Sequence, residues 1–98
     1  MIHVLTLFPN TIGPEELDDI LSKIIPALKA ADGLRSLKIS EGRIMSPGGP
    51  PPYSKVTEAV FESLELFMAW VESPAAQSTT GLFIDSGIVR LFYEVNEL

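Results

Sequence analysis

The chain is 98 residues long, carries a formal charge of −6, and contains no cysteine and a single histidine, His3. Without cysteine there is no disulfide framework and no thiolate chemistry, and one histidine cannot build a histidine-rich metal site, so no metal or other cofactor is expected. Scattered Lys and Arg in an acidic chain argue against nucleic acid, and no apolar run is long enough to cross a membrane, so one intracellular, cytoplasmic domain over residues 1–98 is expected.

Ile2 to Phe8 combines β-branched and apolar residues and stops at Pro9-Asn10, which predicts a strand and a turn. In the following "GPEELDDILSKIIPALKAADG", Leu17, Ile20, Leu21, Ile24, Ile25, Leu28 and Ala31 recur at steps of three and four, the stripe of an amphipathic helix. Pro14 suits its first turn, Glu15, Glu16, Asp18 and Asp19 complement the N-terminal dipole, Lys29 the C-terminal one, and Gly33 is placed to end it. Pro26 removes a backbone donor and crowds the carbonyl of Ser22, a defect of about 3 kcal/mol in a helix interior, so a kink is expected there. Curvature around a sheet explains such a kink, and room for a ligand is the second explanation.

Leu34 to Glu41 predicts a second strand. Gly42 to Pro52, with Pro47, Gly48, Gly49 and Pro50 to Pro52, reads as a turn leading into a polyproline II segment. Tyr53 to Val60 predicts a third strand, and Ser63 caps a helix from Leu64 to Glu72 whose apolar face is Leu64, Phe67, Met68 and Val71. Ser73-Pro74 repeats the signal for one short turn, and Gly87 to Val95 predicts the fourth strand.

The order is that of an α+β, ferredoxin-like βαββαβ fold: a four-stranded antiparallel sheet with both helices on one face. The second and third strands form a hairpin whose long loop is the proline-rich segment, and the first strand lies between the third and fourth. The opposite face should be polar if water covers it. Instead Val89, Leu91, Tyr93 and Val95 alternate with Ile88, Arg90, Phe92 and Glu94, and Ile2, Val4, Thr6 and Phe8 with His3, Leu5 and Leu7. A sheet apolar on both faces is covered on both faces, which predicts a homodimer through the face opposite the helices.

The segments "GPPPYSKVTEAVFESLELFMAWVESPAAQ", "LFIDSGIVRLFYEV" and "IIPALKAADGL" together make the chain resemble the EthD family of the dimeric α+β barrel superfamily. The features that carry this are the Pro-Pro-Tyr strand entry, the Phe-x-Ser helix cap, the Ser-Pro-x-x-Gln turn and the Phe-x-x-x-Gly strand entry. The resemblance implies a homodimeric barrel with a small pocket between each sheet and its own helices. Related barrel families include cofactor-independent monooxygenases, haem-degrading enzymes, lactone isomerases and cyclases. Many relatives carry a His-x-Pro pattern on the first helix; here the sequence is Ile24-Ile25-Pro26, so Ile24 stands at the histidine's place and no acid or base is available there.

If Leu5, Leu7, Val56, Val60, Val89 and Leu91 face the helices, period-two alternation brings His3, Glu58 and Tyr93 to the same side, close enough to converge. A histidine beside a carboxylate is an acid–base unit suited to neutral pH, which makes His3 and Glu58 the candidate catalytic pair. The structural alternatives are a strand-end histidine, an edge carboxylate and a packed aromatic. Tyr93, Trp70, Phe67 and Ile24 are the candidate ligand-binding residues, with Met68 beside them, although such a stripe also suits a core. On this register Lys38, Lys55, Thr57 and Arg90 fall on the dimer face. The expected function is binding of an apolar, aromatic or polyketide-like molecule, with oxygenase, isomerase or cyclase chemistry open. The alternatives are a non-catalytic dimeric ligand-binding or structural protein, and an ACT-like regulatory domain suggested by Gly13, against which the long hairpin loop argues.

Overall fold

The computed structural model describes residues 1–98. Its central strand β1 (Ile2–Pro9) pairs antiparallel with β3 (Tyr53–Phe61) on one side and β4 (Val89–Glu94) on the other, and β2 (Leu34–Ile39) pairs with β3. The resulting order β2-β3-β1-β4 is that of the α+β ferredoxin-like fold. Helices α1 (Pro14–Lys29), α2 (Leu64–Val71) and the single turn α3 (Pro74–Gln77) lie on one face, followed by a 3-10 turn at Thr80–Phe83.

The core forms where the inward stripe of α1, namely Leu17, Ile20, Leu21, Ile24, Ala27 and Leu28, meets Ile2, Val4 and Phe8 of β1 and Ala59 and Phe61 of β3. Phe8 and Phe61 are fully enclosed, each contributing about 1.5–3 kcal/mol of apolar burial. Helix α1 continues through Pro26, which is exposed, so the carbonyl it leaves unpaired lies on the side where water can serve it. Ser63 caps α2 by accepting from Leu66 N at 3.2 Å, and Ser73 caps α3 by accepting from Ala76 N at 3.3 Å.

Two strands are shorter than their sequence pattern. β2 stops at Ile39 because Ser40 bonds across to Val56 through both its amide and its hydroxyl. β4 starts at Val89 because the chain is still turning before it, with positive φ at Asp85 (+54°) and Gly87 (+78°) and the Ser86 hydroxyl accepting from Ile88 N.

The larger correction concerns which face is which. Ile2, Val4, Thr6 and Phe8 point toward the helices, with Thr57, Ala59 and Phe61 of β3 and Arg90 and Phe92 of β4 beside them. His3, Leu5, Leu7, Val56, Glu58, Val89, Leu91 and Tyr93 lie on the open face, the reverse of the expected assignment. Alternation could not choose between two apolar faces, but desolvation does: the helix side takes neutral Thr57 and Ala59 and leaves the carboxylate of Glu58 where water reaches it. Lys38 is on the open face, as expected, but there it stands opposite Glu58, which was expected on the other side; Thr57 and Arg90 are on the helix side, and Lys55 pairs in register with inward Phe8.

Candidate functional site

On the helix side of β4, a cavity of about 400 Å³ opens between the sheet, the end of α2, α3 and the 3-10 turn. Trp70 and Val71 bring the end of α2 to it, Ala76 and Gln77 line it from α3, Thr79, Thr80 and Phe83 from the turn, and Ile88 and Arg90 from the entry of β4. Thr79 and Thr80 both donate their hydroxyl protons back to the Ala76 carbonyl, at 2.7 and 3.5 Å, which leaves lone pairs but no spare O–H for a ligand.

Trp70 is fixed by a buried hydrogen bond from its Nε1 to the Ala27 carbonyl at 2.9 Å. That carbonyl belongs to the last turn of α1, where a helix runs out of its own donors, so the indole closes one helix end while its ring walls the cavity. Phe61, Phe67 and Trp70 form one aromatic cluster behind the cavity, with ring centroids 5.2 to 6.3 Å apart.

Arg90 is the only ionisable residue among the lining side chains. Its Nε donates to Thr6 Oγ1 at 3.1 Å, which accounts for a threonine in the otherwise apolar inward row of β1. The guanidinium carbon stands 4.3 Å from the centre of the Phe83 ring and 5.7 Å from that of Trp70, a cation held between two aromatic faces. Nη2 is enclosed without a hydrogen-bond partner, and no carboxylate lies within 4.0 Å of the group. Burial of this unpaired charge brings the Arg90 pKa well below the usual guanidinium range, to about 10.

The residues singled out from sequence separate into three places. His3, Glu58 and Tyr93 do come together, with His3 Nδ1 3.6 Å from Glu58 Oε1 and the Tyr93 ring stacked on the imidazole at 6.0 Å, but on the open sheet face. The sheet therefore stands between this cluster and Trp70, and Tyr93 shares no pocket with Trp70. Phe67 and Ile24 are core residues, 2% and 1% exposed, so neither presents a surface to a ligand. Trp70 alone of the expected ligand-binding residues lines the cavity.

Arg90, Thr6 and Phe83 escaped sequence reasoning. The signal that could have found two of them is the polar break each makes in an apolar row: Thr6 between Val4 and Phe8, and Arg90 between Ile88 and Phe92. No three His, Asp or Glu side chains stand close enough to hold a metal ion, and no helix is long and apolar enough to cross a membrane.

No protein-family profile matches the chain, and no curated protein does. Solved structures do. An ethyl tert-butyl ether D (EthD) family protein from Bacillus halodurans superposes with a TM-score of 0.78 at 17% identity, over 98% of this chain and 99% of that one. A hydroxynitrile lyase from Passiflora edulis gives 0.76 at 20%, over 99% and 94%, and SnoaB, a cofactor-independent oxygenase from Streptomyces nogalater, gives 0.75 at 12%, over 99% and 94%. Further neighbours from Thermobifida fusca and Bacteroides fragilis are described as dimeric proteins of ferredoxin-like fold. Identities this low establish the fold and leave the chemistry to the site.

Proposed function

From a fold shared with an EthD family protein and with a cofactor-independent oxygenase, we propose a homodimeric small-molecule-binding protein. Its helix-side cavity takes an aromatic molecule bearing an anionic oxygen. The observation that carries this reading is the Arg90 guanidinium, held between Phe83 and Trp70 with Nη2 unpartnered and no carboxylate to balance it. An enclosed, unsatisfied charged donor costs more than the 1–3 kcal/mol or so of a neutral one, and a ligand carboxylate, phenolate or enolate offsets that cost when it binds. The apolar walls supply the rest of the affinity.

The cavity has no His, Asp, Glu, Lys or Tyr in its lining, so it contains no side chain to take or give a proton near neutral pH. This favours the binding reading over acid–base catalysis, and His3 and Glu58 face away from the cavity. A second reading, oxygenase chemistry without a cofactor, draws on the fold shared with SnoaB, and in this cavity it would need a ligand that arrives already ionised.

The dimer is supported by the open face of the sheet, where Leu91 and Tyr93 remain 49% and 44% exposed in a single copy, and by the dimeric neighbours of the same fold. Titration calorimetry with 2-naphthoate and its uncharged analogue 2-naphthamide tests the site. The acid should bind at least about tenfold more tightly than the amide, and Arg90→Gln should abolish the difference, as expected for a charge-assisted hydrogen bond. Equal binding of the two by the unaltered protein would refute the anion reading. Native mass spectrometry tests assembly, and a monomer at micromolar concentration would refute the dimer.

A further inference from the structure

The cluster that this reading leaves unused is His3, Glu58 and Tyr93. It is set among apolar neighbours on the open sheet face: Val60 stands opposite His3, and Leu5 stands between Glu58 and Leu91 in the ladder. The His3 and Glu58 side chains are 26% and 41% exposed, so in a single copy water solvates the carboxylate whether or not the imidazole is protonated. The other charges near the pair are few. On β2, Lys38 is opposite Glu58 but forms no ion pair with it within 4.0 Å, and Arg35 is engaged with Glu62 at 3.9 Å. On β4 the facing group is Tyr93, whose ring stacks on the imidazole.

We propose that this sheet face binds a second copy of the chain with uptake of one proton per protomer, held between His3 and Glu58, so that the dimer weakens as the pH rises above the histidine range. The inference rests on the sheet-to-sheet dimer proposed above. Covering the face with an identical apolar sheet strips water from Glu58. A carboxylate buried without its counter-charge loses several kcal/mol of hydration, whereas an imidazolium–carboxylate pair goes in net neutral. At low pH the pair already holds its proton, so assembly needs none and the dimer is at full strength. As the pH rises each protomer must draw a proton from solvent on assembly, and the stabilisation is lost progressively.

Fluorescence-detected sedimentation of the full chain at about pH 6 and about pH 8.5, at constant ionic strength, tests this. The dimer dissociation constant should be at least about tenfold larger at the higher pH, the limit for two protons per dimer being about a hundredfold per pH unit. Glu58→Gln, which has no carboxylate to desolvate, should lose the weakening at the higher pH and dimerise there more tightly than the unaltered chain. His3→Gln, which keeps the carboxylate and loses the proton carrier, should stay weak at both. A dimer whose dissociation constant is the same at both pH values overturns the inference and leaves the dimer intact, and so does a weakening at the higher pH that survives in Glu58→Gln. A chain that is monomeric at both values overturns the dimer reading itself.

Discussion

Thr6 is 1% exposed, and its hydroxyl accepts the one hydrogen bond that Arg90 Nε makes, at 3.1 Å. Thr6→Val keeps the side-chain shape and removes that acceptor, leaving Nε as well as Nη2 without a partner. A buried charged donor that loses its acceptor costs about 1.5–3 kcal/mol. Arg90→Met acts in the opposite sense on part of the balance. It gives up the stacking on Phe83 and Trp70, worth about 0.5–2 kcal/mol. It also removes the burial penalty that holds the Arg90 pKa down at about 10, on the order of 3 kcal/mol. What remains is a neutral Thr6 hydroxyl without its partner, so Arg90→Met should change stability by about 1 kcal/mol or less. In the double variant both polar groups are gone, so only the lost stacking and the removed penalty remain and stability should exceed that of the starting protein by about 1–2 kcal/mol. The second substitution thus rescues the first, with a coupling energy of about 2.5 kcal/mol or more. Urea unfolding of the four proteins at one fixed concentration measures it, and in a chain of 98 residues about 2 kcal/mol is equivalent to roughly 10 °C in Tm. Additive effects, with coupling under about 0.5 kcal/mol, would mean that water rather than Thr6 serves the guanidinium, and the account of the cavity would fail.

Gly33 has φ +82°, and a β-carbon there would lie 2.5 Å from Leu66 Cδ1 and 2.9 Å from Leu66 Cβ, so Gly33→Ala should cost about 2–4 kcal/mol. Gly87, at φ +78° with Pro9 Cγ no nearer than 3.4 Å, should cost only the backbone part, about 1–2 kcal/mol, and equal losses at the two sites by thermal unfolding would discount the Leu66 contact. Trp70→Phe strands the Ala27 carbonyl at the end of α1 and should cost about 1–3 kcal/mol, with faster amide exchange in that last turn as the specific readout. Because the folded Arg90 pKa lies below its unfolded value, the penalty is complete well below pH 10 and shrinks as the pH rises through that value. The unaltered protein should therefore gain up to about 1 kcal/mol on Arg90→Met between about pH 8 and pH 11, and a constant gap would show that the guanidinium is not desolvated.

The elements and their order were legible because they rest on local chemistry. The 3.6-residue stripe from Leu17 to Ala31, the Ser63 and Ser73 caps and the proline-rich loop are each written in neighbouring residues, and together they allow few topologies other than β2-β3-β1-β4. The ladder neighbours followed as well, so His3, Glu58 and Tyr93 were expected to meet, and they do. What local chemistry could not decide was which face of the sheet they meet on. In β1 and β4 both rows are apolar, so alternation reads equally well in either parity, and a reversal moves every side chain at once. Only the packed structure decides: it encloses Phe8 and Phe61 and keeps the carboxylate of Glu58 at the open face, because desolvating a carboxylate costs far more than desolvating Thr57. The same reversal carries Arg90 from the outside of the sheet to the helix side, 84 residues along the chain from the Thr6 that holds it. The cavity exists through that long-range contact, which is a property of tertiary structure and not of any segment.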